Sequence, residues 1–319
     1  MLNKTRYVAS ETEQRILKVI RQLNYHTNVH SRRLAQKGSD LFGLIISEIA
    51  NPFFPEIING FQTAAWEKGF DIVLCNTEYD PERTEAAVRK LIESGVRGVA
   101  VMTSALRAEH AKSFTDRQVG TVFFNLGPSQ KLISNIRIDY LQGISQAINH
   151  VIELGHEHVA VIAGPQDNRT AVALKNAIVA SLEQQHRHPS AILESNFKVD
   201  GGASAVSSLL GQSCIPTAIF CGNDLIAMGA MSALEEAGIR VPEDVSVVGF
   251  DDIFFARLAR PPLTTVHIPR EQLGKLAFQA LEKIVRSKRQ RGAEYVLETS
   301  LVIRKSTAPP RKHDLRPAL

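Results

Sequence analysis

The chain has 319 residues, of which 44% are hydrophobic and 22% are charged, with a formal net charge of +4 at pH 7. Its length predicts two domains of about 130 residues each. The longest apolar stretches, 96–102 and 245–250, are too short to span a bilayer, and basic residues interrupt the first 24 residues, which argues against a secretory signal. We therefore expect a cytoplasmic protein without a membrane partner.

The positive charge is concentrated at the start of the chain. Residues 1–39 contain eight Lys/Arg and two Glu, a net charge of +6, whereas the remaining 280 residues contain 29 basic and 31 acidic side chains. A basic head on a near-neutral body is typical of a nucleic-acid contact confined to one end. A solvated basic segment would show the same charges.

The head contains the pattern of one helix. Ser10 and Glu13 have the spacing of a capping box, and apolar residues from Ile16 to Leu23 recur at helical intervals. A lone helix of this length is unstable in water, and no packing partner is obvious within residues 1–9. Residues 26–40 are polar and basic, which predicts a hinge that folds only on a partner.

Strands and helices alternate from Leu41 onward. A first series is predicted as strand 42–46, helix 55–68, strand 71–75, helix 82–93, strand 98–102, helix 105–116 and strand 120–124. A second series is predicted as strand 136–138, helix 141–154, strand 158–162, helix 171–184, strand 191–194, helix 201–210, strand 217–221, helix 225–237 and strand 245–249. This alternation predicts an α/β fold of two Rossmann-like lobes, with a ligand at the carboxyl ends of their parallel strands.

The motifs of cofactor and metal chemistry are missing. The sequence has no GxxxxGK[ST], GxGxxG or GxSxG, and the histidines of the GHEH segment at 155–158 lack HExxH spacing. Cys75, Cys214 and Cys221 form no CxxC pair, so we expect three buried small hydrophobes rather than a disulfide or zinc site. We expect no cofactor, no metal site and no enzymatic activity.

Several motifs together resemble one family, the lactose/galactose repressors. They are, in chain order, NPFF at 51–54, LGH at 154–156, GP at 164–165, PTAIFCGND at 216–224, AMGA at 227–230, GIRVPEDVSVVGFD at 238–251, PLTTV at 262–266 and LVIRKST at 301–307. The resemblance implies two lobes of the periplasmic-binding-protein type I fold, joined by three crossovers near Asp139, His267 and Ser300. A remnant of an α-helical DNA-binding head would precede them.

This resemblance also implies a domain organisation and a function. The expected segments are 1–25 as the third helix of a helix-turn-helix head, 26–40 as the hinge, 41–138 with 268–299 as the N-terminal lobe, 139–267 with 300–307 as the C-terminal lobe, and 308–319 as a disordered tail. The first helix and most of the recognition helix would lie before Met1. The family implies a homodimeric repressor of transcription whose complete gene product binds operator DNA and responds to a small-molecule effector, with a sugar or sugar derivative among the candidates.

Eight residues are candidate effector contacts by this resemblance: Phe53, Phe54, Asn125, Asn168, Thr170, Phe197, Asn223 and Asp251. Asp251 ends a strand, where a carboxylate accepts hydrogen bonds from ligand hydroxyls or ring nitrogens, although a turn or helix cap would also explain it. Asn223 is expected to contact ligand and Asp224 to cap the following helix. The three phenylalanines would form aromatic walls, or simply core.

Two of the positions in this predicted pocket depart from the family. Asn125 stands where relatives often carry Asp, which weakens a charge-assisted bond to a sugar hydroxyl. Leu174 stands where many relatives carry an arginine, so we expect a less polar pocket than that of an ordinary sugar-responsive member.

The hinge holds the candidate DNA contacts Asn28, Arg32, Arg33 and Leu34. The arginines are expected to bind phosphates or a groove, and Leu34 to insert as a minor-groove wedge, unless it only covers the surface of the lobe. Two other classes remain open from sequence. A solute-binding protein of a transporter shares the two-lobe fold but needs a secretory signal, and a sugar-processing enzyme needs a catalytic acid/base pair.

Overall fold

The computed structural model describes residues 9–23, 40–125, 127–211, 216–287 and 290–311, in two compact units, 1–40 and 41–319. In the first unit, α1 (Ser10–Gln22) confirms the predicted helix. Within the described residues, the side chains of Ile16 and Val19 in this helix and of Leu23 just after it are exposed. The side chains of the predicted capping box and the hinge residues 26–39 lie outside the part of the chain that the structure describes.

The second unit begins with a six-stranded parallel sheet. Its strands are β1 (Leu41–Ile46), β2 (Asp71–Asn76), β3 (Gly98–Met102), β4 (Gly120–Phe124), β5 (Ile133–Asp139) and β11 (Glu294–Glu298), in the spatial order β11-β5-β4-β3-β1-β2. The helices of this half are α2 (Phe53–Glu67), α3 (Pro81–Glu93), α4 (Ala108–Thr115) and α9 (Arg270–Arg286). All six residues of β1 are buried, as in a parallel sheet that is covered on both faces.

A second six-stranded sheet has the same design. It contains β6 (Val159–Ala163), β7 (Ala191–Glu194), β8 (Ala218–Cys221), β9 (Ser246–Asp251), β10 (Thr264–His267) and β12 (Ser300–Val302), in the order β12-β10-β9-β8-β6-β7. Its helices are α5 (Tyr140–Glu153), α6 (Arg169–Gln184), α7 (Val199–Leu210), α8 (Asp224–Glu236) and a 3₁₀ turn at Phe254–Arg257. Only the β10–β12 pair is antiparallel among the described strands.

The chain passes between the two sheets three times, after β5, after β10 and between β11 and β12. This confirms the predicted α/β fold with three crossovers. Helix α9 was not predicted from the sequence, although its buried side chains Leu273, Ala277, Leu281 and Ile284 recur at helical spacing. Among the described residues, no helix combines the length and the apolarity that a membrane span needs.

The disordered tail was predicted to begin at residue 308, which is too early in the chain. The backbone N–H of Ala308 donates to the Ser246 hydroxyl at 3.0 Å, and the Ala308 carbonyl accepts from the same hydroxyl at 3.1 Å. Arg311 forms an ion pair with Asp244. Residues 308–311 are ordered because these backbone groups find partners beside β9, and residues 312–319 lie outside the described residues.

Candidate functional site

A cavity of about 180 Å³ is lined from both sheets of the second unit. Ser47, Thr103 and Asn125 follow strands of the first sheet, and Asn223 and Asp251 lie at strand ends of the second. The carboxyl ends of parallel strands therefore converge on one space, as the sequence predicts. All eight candidate effector residues line this cavity: Phe53, Phe54, Asn125, Asn168, Thr170, Phe197, Asn223 and Asp251.

The aromatic residues form part of the wall. Phe53 and Phe54 begin α2 and meet edge to face, with ring centroids 5.2 Å apart. Phe54 is also a member of the buried core, so wall and core are not alternatives for this ring. Phe197 has a φ of +62° and lies directly against Gly164, where an added Cβ would sit 2.3 Å from the ring. A larger residue at this glycine of the GP turn would force the Phe197 ring to shift.

Asp251 supplies a carboxyl group to the cavity, and no described residue donates a hydrogen bond to it. Burial raises the pKa of this carboxyl well above its usual value of 3.8, the neighbouring Asp224 raises it further, and Arg270 opposes both. Arg270 is itself 3% exposed. Burial therefore disfavours the charged form of this carboxyl, and a donor or cation in the cavity would favour the carboxylate.

Arg270 holds the backbone that carries Asp251. Its Nη1 donates to the Asp251 carbonyl, and its Nη2 donates to the Asp252 carbonyl at 2.6 Å and to Glu56 Oε1 at 2.9 Å. Asp251 and Asp252 both have positive φ, +111° and +56°, a conformation that non-glycine residues rarely adopt. The guanidinium thus stabilises an unusual turn next to the cavity and connects it to α2.

The expected roles of Asn223 and Asp224 are partly wrong. Asn223 is the N-cap of α8, with Oδ1 accepting from the Ile226 N–H at 2.8 Å. Asp224 is fully buried, and its carboxylate accepts from the Ile253 N–H at 2.7 Å and from the Thr265 hydroxyl at 2.5 Å. The capping role belongs to Asn223 because partners distant in sequence surround Asp224.

The remaining polar candidates are placed as follows. Asn168 caps α6 through bonds from the N–H groups of Thr170 and Ala171, at 2.9 and 3.2 Å. Thr170 is exposed in the first turn of α6. Asn125 has a φ of +53°, and its Oδ1 accepts from the Ile138 N–H at 2.9 Å.

Two further residues that line the cavity, Tyr79 and Tyr140, were not predicted from the sequence. Burial raises the pKa of both phenols, and the side chains of Ser47 and Asn125 oppose this for Tyr79 and Tyr140 respectively. Both follow strand ends, β2 and β5, and that position was the signal available. The hinge candidates Asn28, Arg32, Arg33 and Leu34 lie outside the described residues.

Comparison with known proteins identifies the family. The HTH-type transcriptional repressor PurR of Pasteurella multocida is 32% identical over 313 residues, which cover 96% of this chain and 92% of the relative. PurR of Haemophilus influenzae (strain PittEE) is 34% identical, with 96% and 93% covered. The chain belongs to the lactose/galactose repressor family. The family model for the periplasmic binding protein-like domain matches residues 148–307.

Solved structures of repressors have the same fold. A Lac repressor dimer bound to operator and the anti-inducer ONPF superposes with a TM-score of 0.85 at 26% identity, covering 96% of this chain and 93% of that one. A complex of the transcriptional regulator CelR with cellobiose superposes with a TM-score of 0.76 at 29% identity, with the same coverage. This repressor-family chain is therefore a DNA-binding transcription regulator rather than an enzyme, and its function is governed by a small molecule, as the sequence predicts.

Proposed function

We propose that this chain acts as a homodimeric repressor whose affinity for operator DNA is set by a small molecule bound in the cavity. The observation that carries the proposal is the convergence of all eight candidate residues on one space lined from both sheets. A ligand there touches both halves of the second unit, so its binding energy can favour one arrangement of the halves over another.

The two sheets correspond to the two proposed lobes, 41–138 with 268–299 and 139–267 with 300–307. Strands β1 to β4 and β11 lie within the first set of segments, and β6 to β10 and β12 lie within the second. The proposed site of action is the cytoplasm, where a repressor meets DNA. Homodimerisation is proposed because a two-fold repressor matches a two-fold operator.

The cavity proposal is tested with the full chain and a set of named ligands. Ribose and cellobiose are included because relatives with this fold bind them. A ligand that occupies the cavity raises the melting temperature by mass action. Asp251→Ala is expected to weaken its binding by about 1.5–3 kcal/mol, because a charged hydrogen bond is removed, whereas Asp116→Ala, on the surface at the end of α4, leaves binding unchanged.

Control of DNA binding is tested separately. Duplexes selected from a random pool by the complete gene product are titrated in mobility-shift assays with and without the ligand, at two salt concentrations. Arg32→Ala and Arg33→Ala are expected to lower the salt dependence by about one unit of slope for each phosphate that is no longer neutralised. Leu34→Ala is expected to weaken binding because the wedge is removed, and Asn28→Ala because a polar hinge side chain no longer reaches the DNA. DNA affinity that is the same with and without a cavity ligand would contradict the proposal.

A further inference from the structure

Most polar side chains around the cavity already have partners within the protein. The Asn168 amide uses Oδ1 to cap α6 and Nδ2 to donate to the Ser104 hydroxyl at 3.1 Å. The Asn223 amide uses Oδ1 to cap α8 and Nδ2 to donate to the Phe197 carbonyl at 3.0 Å. Both amides are therefore occupied before a ligand arrives.

The same holds for smaller groups in the wall. Asn51 Oδ1 accepts from the Phe53 N–H at 3.0 Å. The Ser47 hydroxyl donates to the Met102 carbonyl at 3.2 Å, and the Thr103 hydroxyl lies 3.3 Å from that of Thr77. A ligand hydroxyl that reaches these oxygens shares them with a hydrogen bond that the protein already makes.

Much of the rest of the wall is apolar, although Tyr79, Tyr140, Arg169 and Thr170 also contribute polar atoms. Leu174 is 5% exposed, and Phe250 and Ile268 are 1% and 2% exposed, with the Phe53, Phe54 and Phe197 rings beside them. A sugar carries several hydroxyls, and each one that is buried without a partner costs about 1–3 kcal/mol. This apolar part of the described wall matches a compact apolar body better than a polyhydroxylated ligand.

The acidic group of this described wall is the Asp251 carboxyl, and no described residue forms a hydrogen bond or an ion pair with it. Two basic residues stand near it, and neither pairs with it. Arg270 directs its hydrogen bonds to the backbone carbonyls of Asp251 and Asp252 and to Glu56, and Arg169 lies exposed at the rim, where water screens its charge. A carboxylate inside an apolar cavity is stabilised only by a donor or a cation from the ligand.

We propose that the ligand of this cavity is a small, mainly apolar or aromatic molecule that carries a protonated nitrogen, and that this nitrogen binds the Asp251 carboxylate. The inference rests on the proposed function, because it names the class of ligand for the same cavity. The phenylalanine rings support this class of ligand, since a ring face attracts both a cation and a flat apolar body. Burial, which raises the pKa of Asp251 in the empty cavity, makes pairing with a cation the way to keep this carboxyl charged.

Matched probes test the proposal by isothermal titration calorimetry on the full chain. Benzylamine and benzyl alcohol differ in the amino group, and D-glucosamine and D-glucose form a second pair. Benzylamine is expected to bind about tenfold or more tightly than benzyl alcohol, a difference of about 1.4 kcal/mol, and more tightly than either sugar. Asp251→Asn should abolish the preference for benzylamine over benzyl alcohol.

A second variant at Asp251 distinguishes loss of the charge from a folding defect. Asp251→Glu keeps the charge and is expected to retain part of the amine preference, whereas Asp116→Asn should retain all of it. The proposal is overturned if D-glucose binds more tightly than benzylamine, if the amine preference survives in Asp251→Asn, or if none of the four probes binds at millimolar concentration.

The outcome separates this inference from the proposed function. Binding of ribose or cellobiose in the cavity, with a change in DNA affinity, would support the proposed function and contradict the inference that the ligand is an amine. Asp251-dependent binding of benzylamine, with DNA affinity unaffected by any ligand, would retain the amine and reject the function.

Discussion

The side-chain amide of Asn168 donates a hydrogen bond to the hydroxyl of Ser104, with the two atoms 3.1 Å apart. Ser104 follows β3 in the first sheet, and Asn168 begins α6 beside β6 in the second. The bond therefore joins the two halves of the cavity wall. Since Asn168 also caps a helix, only a change at Ser104 isolates the cross-cavity bond.

Ser104→Ala is expected to lower the free energy of unfolding by about 0.5–1.5 kcal/mol, because it removes the acceptor and leaves the cap intact. Asn168→Ala should cost about 1 kcal/mol more, because it also removes the cap. Urea denaturation measures both. Ser207→Ala is the control, since that hydroxyl bonds only the Ala203 carbonyl in its own helix. Equal stability of Ser104→Ala and the parent would show that the bond contributes nothing.

Gly274→Ala is expected to destabilise the protein by about 1–3 kcal/mol through overpacking. An added Cβ at Gly274 would lie 2.0 Å from the Ile57 carbonyl oxygen, where α9 crosses α2. At Gly211 the nearest atom would be 3.7 Å away and φ is −76°, so Gly211→Ala should be neutral or slightly stabilising. Thermal unfolding of the two variants compares them, and similar decreases in stability would contradict the close-packing argument.

His156 should make the free energy of unfolding depend on pH. It is 1% exposed and its Nε2 donates to the Ala308 carbonyl at 2.9 Å. Burial lowers its pKa below the usual 6.5, so the unfolded chain binds a proton more readily and stability falls as pH drops below about 6.5. His156→Asn should flatten the change in unfolding free energy between about pH 7.5 and pH 5.5. His188→Asn is the control, since this side chain is 82% exposed, and it should leave the pH dependence of the unfolding free energy unchanged.

Asp224 should make the free energy of unfolding fall as pH rises, which is opposite to the effect of His156. Burial raises its pKa from 3.8 to about 7. Its contribution to stability is therefore complete below pH 3.8 and is lost as pH rises through about 7. The stability difference between the parent and Asp224→Asn should narrow between about pH 5 and pH 8. Urea denaturation at both pH values measures it, with Asp116→Asn as the control, and a constant difference would contradict the assignment.

Local patterns in the sequence predicted the α/β alternation and the placement of the candidate site. A parallel sheet brings the carboxyl ends of its strands to one edge. Polar residues at strand ends, such as Asp251 and Asn125, are therefore expected to lie close together for any conformation of the loops. The family motifs then selected eight residues, and each lines the cavity. Helix α1 could be predicted for a related reason, because capping and helical spacing operate within a few residues.

Tertiary structure alone decided which polar groups are free. Asp224 has the sequence pattern of a helix cap, but Ile253 and Thr265, 29 and 41 residues away, take its two oxygens. Ala308 begins a proline-rich segment typical of disorder, yet Ser246 and His156 hold its backbone. Hydrogen-bond partners that lie far apart in sequence leave no local signal, because each residue type is compatible with many partners until the fold brings one within 3 Å. The unpartnered Asp251 carboxyl becomes visible for that reason only in the folded chain, after its neighbours have found other partners.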